Sequence, residues 1–179
     1  PAGRAKLLYL VSQADVLVES FQPGALADLG LGPDLLMERN SELVMASLTY
    51  FGQTGPDRNL EATDDVVVAL SGWLALSGVP DKPPLLPPGS LASDTLGVLG
   101  AYAVALGLHQ ALRGGGGQHL DVSALEALAQ MNTWGLPNTS HSLARGSVPQ
   151  MLRSGDSPMY PTIACADGYV RQVVMAPGQ

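Results

Sequence analysis

A single cysteine, Cys165, stands in 179 residues, which excludes an internal disulfide and any multi-cysteine metal site. Basic residues are scarce as well: nine Lys and Arg against sixteen Asp and Glu leave a formal net charge of −7. No run gathers those nine, so the clustered positive surface that nucleic-acid phosphates require is missing. A small anion could still be held by backbone N–H groups at a helix start together with one Arg. His109, His119 and His141 have no metal-site spacing, and none stands near a Ser or Cys in a known nucleophile context. No apolar run reaches membrane-spanning length and no charged-then-apolar leader opens the chain, so no membrane partner is expected.

What is present is apolar. Hydrophobic residues make up 46% and charged residues 14%, enough for one compact domain and the beginning of a second. The chain opens at Pro1 inside a helix-like pattern and stops at Gln179 without a closing element, which reads as a segment of something longer.

The order of elements predicts an α/β fold. "KLLYLVSQ" has helical spacing, and "ADVLVES" reads as a short buried strand. "FQPGALADLG" predicts a short helix with Pro23 in its first turn and Gly30 at its end, and "LGPDLLMERN" repeats that grammar from Pro33. "ELVMASLTYFG" is a second apolar strand, so strand, helix and strand suggest a parallel sheet. After the loop "GQTGPDRNLEA", the stretch "TDDVVVALSGWLALSG" predicts one helix. The five prolines of "VPDKPPLLPPGS" forbid regular structure there. Thr95 to Leu112 reads as a buried helix, "RGGGGQ" as its stop and "HLDVS" as a strand. Ser123 and Glu126 form a capping box ahead of "ALEALAQM". Beyond Trp134 the pattern loosens into a crossing segment, and "PTIACADGYVRQVVM" predicts a hairpin.

Asp94 is the most suggestive acid. It stands just before the apolar helix, where Asp is a favoured N-cap, although Ser93 could cap equally well. A carboxylate at a helix start, approached through Gly, Ser and Ala, can also act as a nucleophile toward an acyl group. Asp64 and Asp65 are adjacent, so their side chains diverge on a helix, and as first-turn acids they suit the helix dipole. "GQTGP" could present backbone donors to an anion or simply make a turn. "GGGGQ" lacks the GK[ST] ending of a phosphate loop and follows a helix instead of preceding one, so the nucleotide reading is rejected. Cys165 reads as a core strand position, and Trp73 and Trp134 as packing anchors.

Several stretches, taken in order, resemble the family III CoA-transferases, the group of formyl-CoA and carnitine CoA-transferases. "ADVLVESFQPGALADLGLG" is similar to that family's ADVLVENFRPG signature with its following Leu-Gly pair, and "LVMASLTYFGQTGP" to its A-S-[IL]-x-x-[FY]-G-x-x-G-P signature. "SDTLGVLGAYAVALGLHQALRGGGGQHLDVSALEAL" resembles the family's Asp-led helix, Gly-Gln turn and V-D-V-S strand, and "ADGYV" a late strand of its small domain. The resemblance implies part of a Rossmann-like large domain over 1–132, a crossing linker over 133–158 and the start of a smaller second domain over 159–179. Family members are roughly twice this length and form interlocked homodimers.

The resemblance further implies an acyl-CoA:carboxylate CoA-transferase, cytoplasmic, with coenzyme A as substrate, a small carboxylic acid as partner and no permanently bound cofactor. Asp94 falls on the family's nucleophile, which passes through an acyl anhydride and an aspartyl-CoA thioester. Asp64 falls on an acidic position near the site, which makes it the second catalytic candidate after Asp94. Ser20, Phe21, Gln22 and Asp28 fall in the CoA-contacting segment, with Ser20 in place of Asn, Gln22 in place of a frequent Arg and Asp28 in place of an Arg that contacts phosphate. A carboxylate at 28 repels phosphate. Thr63 falls where the 2-methylacyl-CoA racemase branch carries a catalytic His, and Thr cannot take a proton at neutral pH, which favours the transferase. The alternatives are a racemase-type isomerase and a degenerate half serving as a dimer scaffold.

Overall fold

Two continuous apolar runs build the centre of the molecule. The structure, a computed structural model, describes residues 2–78, 82–133, 135–146 and 162–171. Helix α1 (Ala2–Val11) leads into strand β1 (Val16–Glu19), and helices α2 (Ala25–Asp28) and α3 (Pro33–Arg39) connect it to β2 (Val44–Thr49). Helix α4 (Asp64–Leu70), a 3₁₀ turn (Trp73–Leu76) and the long α5 (Leu91–Gln110) lead to β3 (Gln118–Ser123). Helices α6 (Ala124–Met131) and α7 (Gly135–Ala144) follow, and β4 (Thr162–Cys165) and β5 (Gly168–Arg171) form an antiparallel hairpin.

The three main strands are all parallel, in the order β1-β2-β3, with Val16 beside Val44 and Val44 beside Gln118. The α/β expectation holds. Because side chains alternate along a strand, Met45 and Leu48 of β2 face opposite ways. Met45 joins Val11, Leu31, Leu36 and Leu43 in one cluster, while Leu48 packs on Val67, Val68, Ala92, Leu96, Ala124 and Leu128 in another. Burying a Leu such as Leu36 or Leu43 completely stabilises the fold by about 1.5–3 kcal/mol each. Asn40 ties the first layer together, its Nδ2 donating to the carbonyls of Val11 and Ala14 at 2.9 Å each.

Several local expectations need correction. Pro23 lies ahead of α2, whose N-cap is Gly24 at φ 86°. The stretch 63–78 is not one helix: Gly72 at φ 85° ends α4 and starts the 3₁₀ turn. Helix α5 starts at Leu91 with Ser90 as its N-cap, so Asp94 lies inside the first turn and is not the cap. That helix is buried on one side only. Gly100 and Gly107 sit against Leu48 and Val44 of β2, while Val98, Tyr102 and Leu106 are exposed. With its closing π-type turn (Ala111–Gly115), the segment Leu91–Gly115 holds an 18-residue window of mean hydropathy 1.5 and is long and apolar enough to cross a membrane, contrary to the sequence expectation. Cys165 is exposed on β4 and is not a core residue. Trp73 is an anchor as expected, its Nε1 donating to the Leu128 carbonyl at 3.1 Å, whereas Trp134 lies outside the described residues.

Candidate active site

Parallel strands of an α/β sheet collect ligand-binding loops at their carboxyl ends. A cavity of about 420 Å³ opens there, walled by Ser20 to Pro23 after β1, Thr49 to Phe51 at the end of β2, and Ser93, Leu96 and Gly97 of α5. Leu48 of β2 and Arg58, Leu60 and Ala62 from the loop before α4 complete the lining. Among the described residues, Arg58 is the one charged member of that lining, in a chain whose acids outnumber its bases. The Thr49 hydroxyl is buried without a hydrogen-bond partner among the described residues.

Glu19 shapes the first wall. Its nearly buried carboxylate accepts the Phe21 N–H at 2.8 Å and a bond from the Gln53 side chain at 3.4 Å. Gln53 Oε1 in turn accepts the Gly24 N–H at 3.4 Å, so one glutamine bridges both ends of the Ser20–Gly24 segment. The Gln53 backbone N–H is bound by both carboxylate oxygens of Asp121 at 3.0 Å. That donor of "GQTGP" is therefore committed to the protein itself.

Asp64 and Asp94 meet at the start of α5. Asp64 Oδ1 accepts the Ala92 N–H at 3.0 Å and Oδ2 the Ser93 N–H at 2.8 Å. Partial burial pushes the Asp64 carboxyl up, but the backbone N–H groups of Ser93 and Ala92 and the Ser93 hydroxyl together hold it below the ordinary value. The helix-start donors thus hold Asp64, and Asp94 is left exposed beside Gly89, with its own N–H bonded to the Ser90 carbonyl at 2.8 Å. Asp94 does not line the cavity, although its neighbours Ser93 and Gly97 do.

Ser20, Phe21 and Gln22 all line the cavity. Asp28 is exposed at the end of α2 and Thr63 is exposed at the N-cap of α4 with no side-chain capping bond; neither lines it. Sequence reasoning missed Glu19, Gln53 and Arg58. A buried acid closing an apolar strand was the available signal for Glu19; Arg58 had none beyond its loop. It also gave His119 no partner, whereas Ser47 Oγ lies 2.9 Å from His119 Nε2 across β2 and β3. Ser47 is fully buried and neither residue lines the cavity, so the pair is a cross-strand polar contact. Among the described residues no cluster of His, Cys, Asp and Glu is arranged to hold a metal ion.

The family model described as CoA-transferase family III matches residues 1–179. The chain is 33% identical over 183 residues to a succinate–glutarate CoA-transferase of Agrobacterium fabrum, covering 100% of this chain and 44% of that protein. It is 33% identical over 169 residues to human alpha-methylacyl-CoA racemase, covering 94% of this chain and 44% of the relative. A CAIB/BAIF family protein from Brucella suis has a solved structure that superposes with a TM-score of 0.79 at 30% identity, over 94% of this chain and 44% of that one. The chain thus spans less than half the length of these relatives.

Proposed function

The chain belongs to CoA-transferase family III, and on that footing we propose that it moves CoA from an acyl-CoA donor to a carboxylic acid, with Asp94 as the acyl acceptor. The observation that carries this reading is the placement of Asp94, exposed in the first turn of α5 between Ser93 and Gly97, two residues that line the cavity at the strand ends.

The steps follow from carboxylate chemistry. Asp94 attacks the donor thioester carbonyl, forming a mixed anhydride and releasing CoA thiolate. The thiolate attacks the aspartyl carbonyl, which frees the donor acid as its carboxylate and leaves an aspartyl-CoA thioester. The acceptor carboxylate attacks that thioester, giving a new anhydride and thiolate. Attack of the thiolate on the acceptor acyl carbon yields the new acyl-CoA and restores Asp94. Phe21, Phe51, Leu60 and Leu96 give the cavity apolar walls that suit the carbon chain of an acyl donor. Ser20, Phe21 and Gln22 contact the CoA moiety in this reading, and Arg58 meets an anionic group of the bound substrate. A cytoplasmic homodimer, with the β4–β5 hairpin opening its smaller domain, belongs to the same proposal.

Similarity to the human racemase favours a second reading, abstraction of the α-proton of a 2-methylacyl-CoA. Thr63 at the position implied for the catalytic His weighs against it, because a hydroxyl is no base at neutral pH. Incubation with acyl-CoA and isotopically labelled acid in deuterium oxide separates the two. Transfer predicts label in a new acyl-CoA without deuterium at the α-carbon; α-deuteration without transfer overturns the proposal.

A further inference from the structure

From the two hydrogen bonds that Asp64 receives across the α4–α5 contact, we infer that Asp64 is a positioning residue that fixes the turn carrying Asp94. This rests on the reading of Asp94 as the acyl acceptor. The first N–H groups of a helix have no partner inside the helix, and an unsatisfied first turn frays. Ser90, the N-cap of α5, supplies no side-chain bond. The donors at Ala92 and Ser93 are taken by Asp64, which lies 28 and 29 residues earlier in the chain.

Asp64 is itself well anchored. It is the first residue of α4, and Val67 and Val68 in the next turn are fully buried in the core cluster that also holds Ala92 and Leu96. The carboxylate therefore ties the start of α5 to the packed interior through the backbone of the two residues directly preceding Asp94. A nucleophile misplaced by about 1 Å can lose on the order of a hundredfold in rate, so this tie has a catalytic consequence without any contact to substrate. A proton-transfer role fits poorly. Both oxygens already accept backbone N–H groups, and these bonds favour the ionised form.

The test compares wild type with Asp64→Ala and Asp64→Asn, since the amide oxygen of Asn keeps one of the two acceptors. Hydrogen exchange at the Ala92 and Ser93 amides should quicken by roughly tenfold or more in the Ala variant and by less in the Asn variant, with β2 amides unchanged. The kcat for acyl transfer should follow the same order, on the order of tenfold lower for Ala and intermediate for Asn. The KM for acyl-CoA and both limbs of the pH profile should stay as in wild type. Unchanged exchange in both variants overturns the inference. So does loss of a pH limb with Asn as inactive as Ala, the pattern of a general acid or base worth roughly 10²–10⁴. Should the Ala variant fail to fold, the Asn variant against wild type gives the same readouts. A wild-type protein without transfer activity overturns the proposed function, while the exchange data still decide whether Asp64 holds the turn.

Discussion

Asp64 and Ser93 are joined across 29 residues of sequence by a 2.8 Å hydrogen bond, the Ser93 backbone N–H donating to Asp64 Oδ2. The bond converts a local sequence feature, an acid in a first helical turn, into a link between two helices. It also decides which carboxylate the start of α5 stabilises, and Asp94 stays exposed.

The link makes stability depend on acid. Burial raises the Asp64 carboxyl, but the N–H groups of Ser93 and Ala92 and the Ser93 hydroxyl bring it below its ordinary value of 3.8. A folded-state value below the unfolded one means the stabilisation is fully present above about pH 4 and is lost as pH falls through the folded value. Urea unfolding should find Asp64→Ala less stable than wild type by about 0.5–2 kcal/mol at pH 7. The gap should narrow below pH 4. A gap independent of pH would mean that the charged carboxylate is not what holds α5.

Gly117 marks a close approach of two backbone segments just before β3. A Cβ there would come within 2.5 Å of the Leu43 backbone nitrogen. The backbone has little room to retreat, because Gly117 N–H donates to the Ser41 carbonyl at 2.7 Å and Gln118 N–H to the Leu43 carbonyl at 3.0 Å. Gly117→Ala should cost about 1–3 kcal/mol or more. Gly3→Ala in α1, with nothing within 4 Å, should be neutral or stabilising by up to about 1 kcal/mol. Thermal melts of the two variants test this; equal melting temperatures would contradict the packing described.

Much of this was legible, and the failures have physical reasons. The strands were readable because Val16 to Val18 and Leu43 to Ala46 are apolar without interruption, the pattern of strands in a parallel sheet. The start of α5 was misplaced because Pro87 and Pro88 drew the boundary into the following Ser-Leu-Ala-Ser-Asp stretch, whereas the helix already begins at Leu91. Composition also hid which side of α5 is covered. This helix turns Gly100 and Gly107 to the sheet and its Val98, Tyr102 and Leu106 outward, the reverse of ordinary amphipathic patterning. The segment Ser20 to Gln22 was found through family resemblance, while the Asp64 bonds span a distance that no periodicity reports.

Arg58 gives the cavity its charge, and the proposed substrates are anions. Arg58→Met should weaken acyl-CoA binding on the order of tenfold, the size of one charge-assisted contact. The remaining affinity should depend less on salt. Calorimetric titration at two ionic strengths reads both effects. Equal affinity and equal salt dependence in the variant would show that the anion binds elsewhere.

The central claim is that Asp94 becomes covalently acylated. The direct measurement is to incubate wild type and Asp94→Asn with acyl-CoA, quench with hydroxylamine and map the product by mass spectrometry. Asn is tolerated in a first helical turn, so the variant should fold, but its amide cannot form the anhydride or the thioester. The account predicts a hydroxamate at Asp94 in the wild type and neither hydroxamate nor transfer in the variant. Acyl transfer that persists in Asp94→Asn, with no label at residue 94 in the wild type, would contradict it.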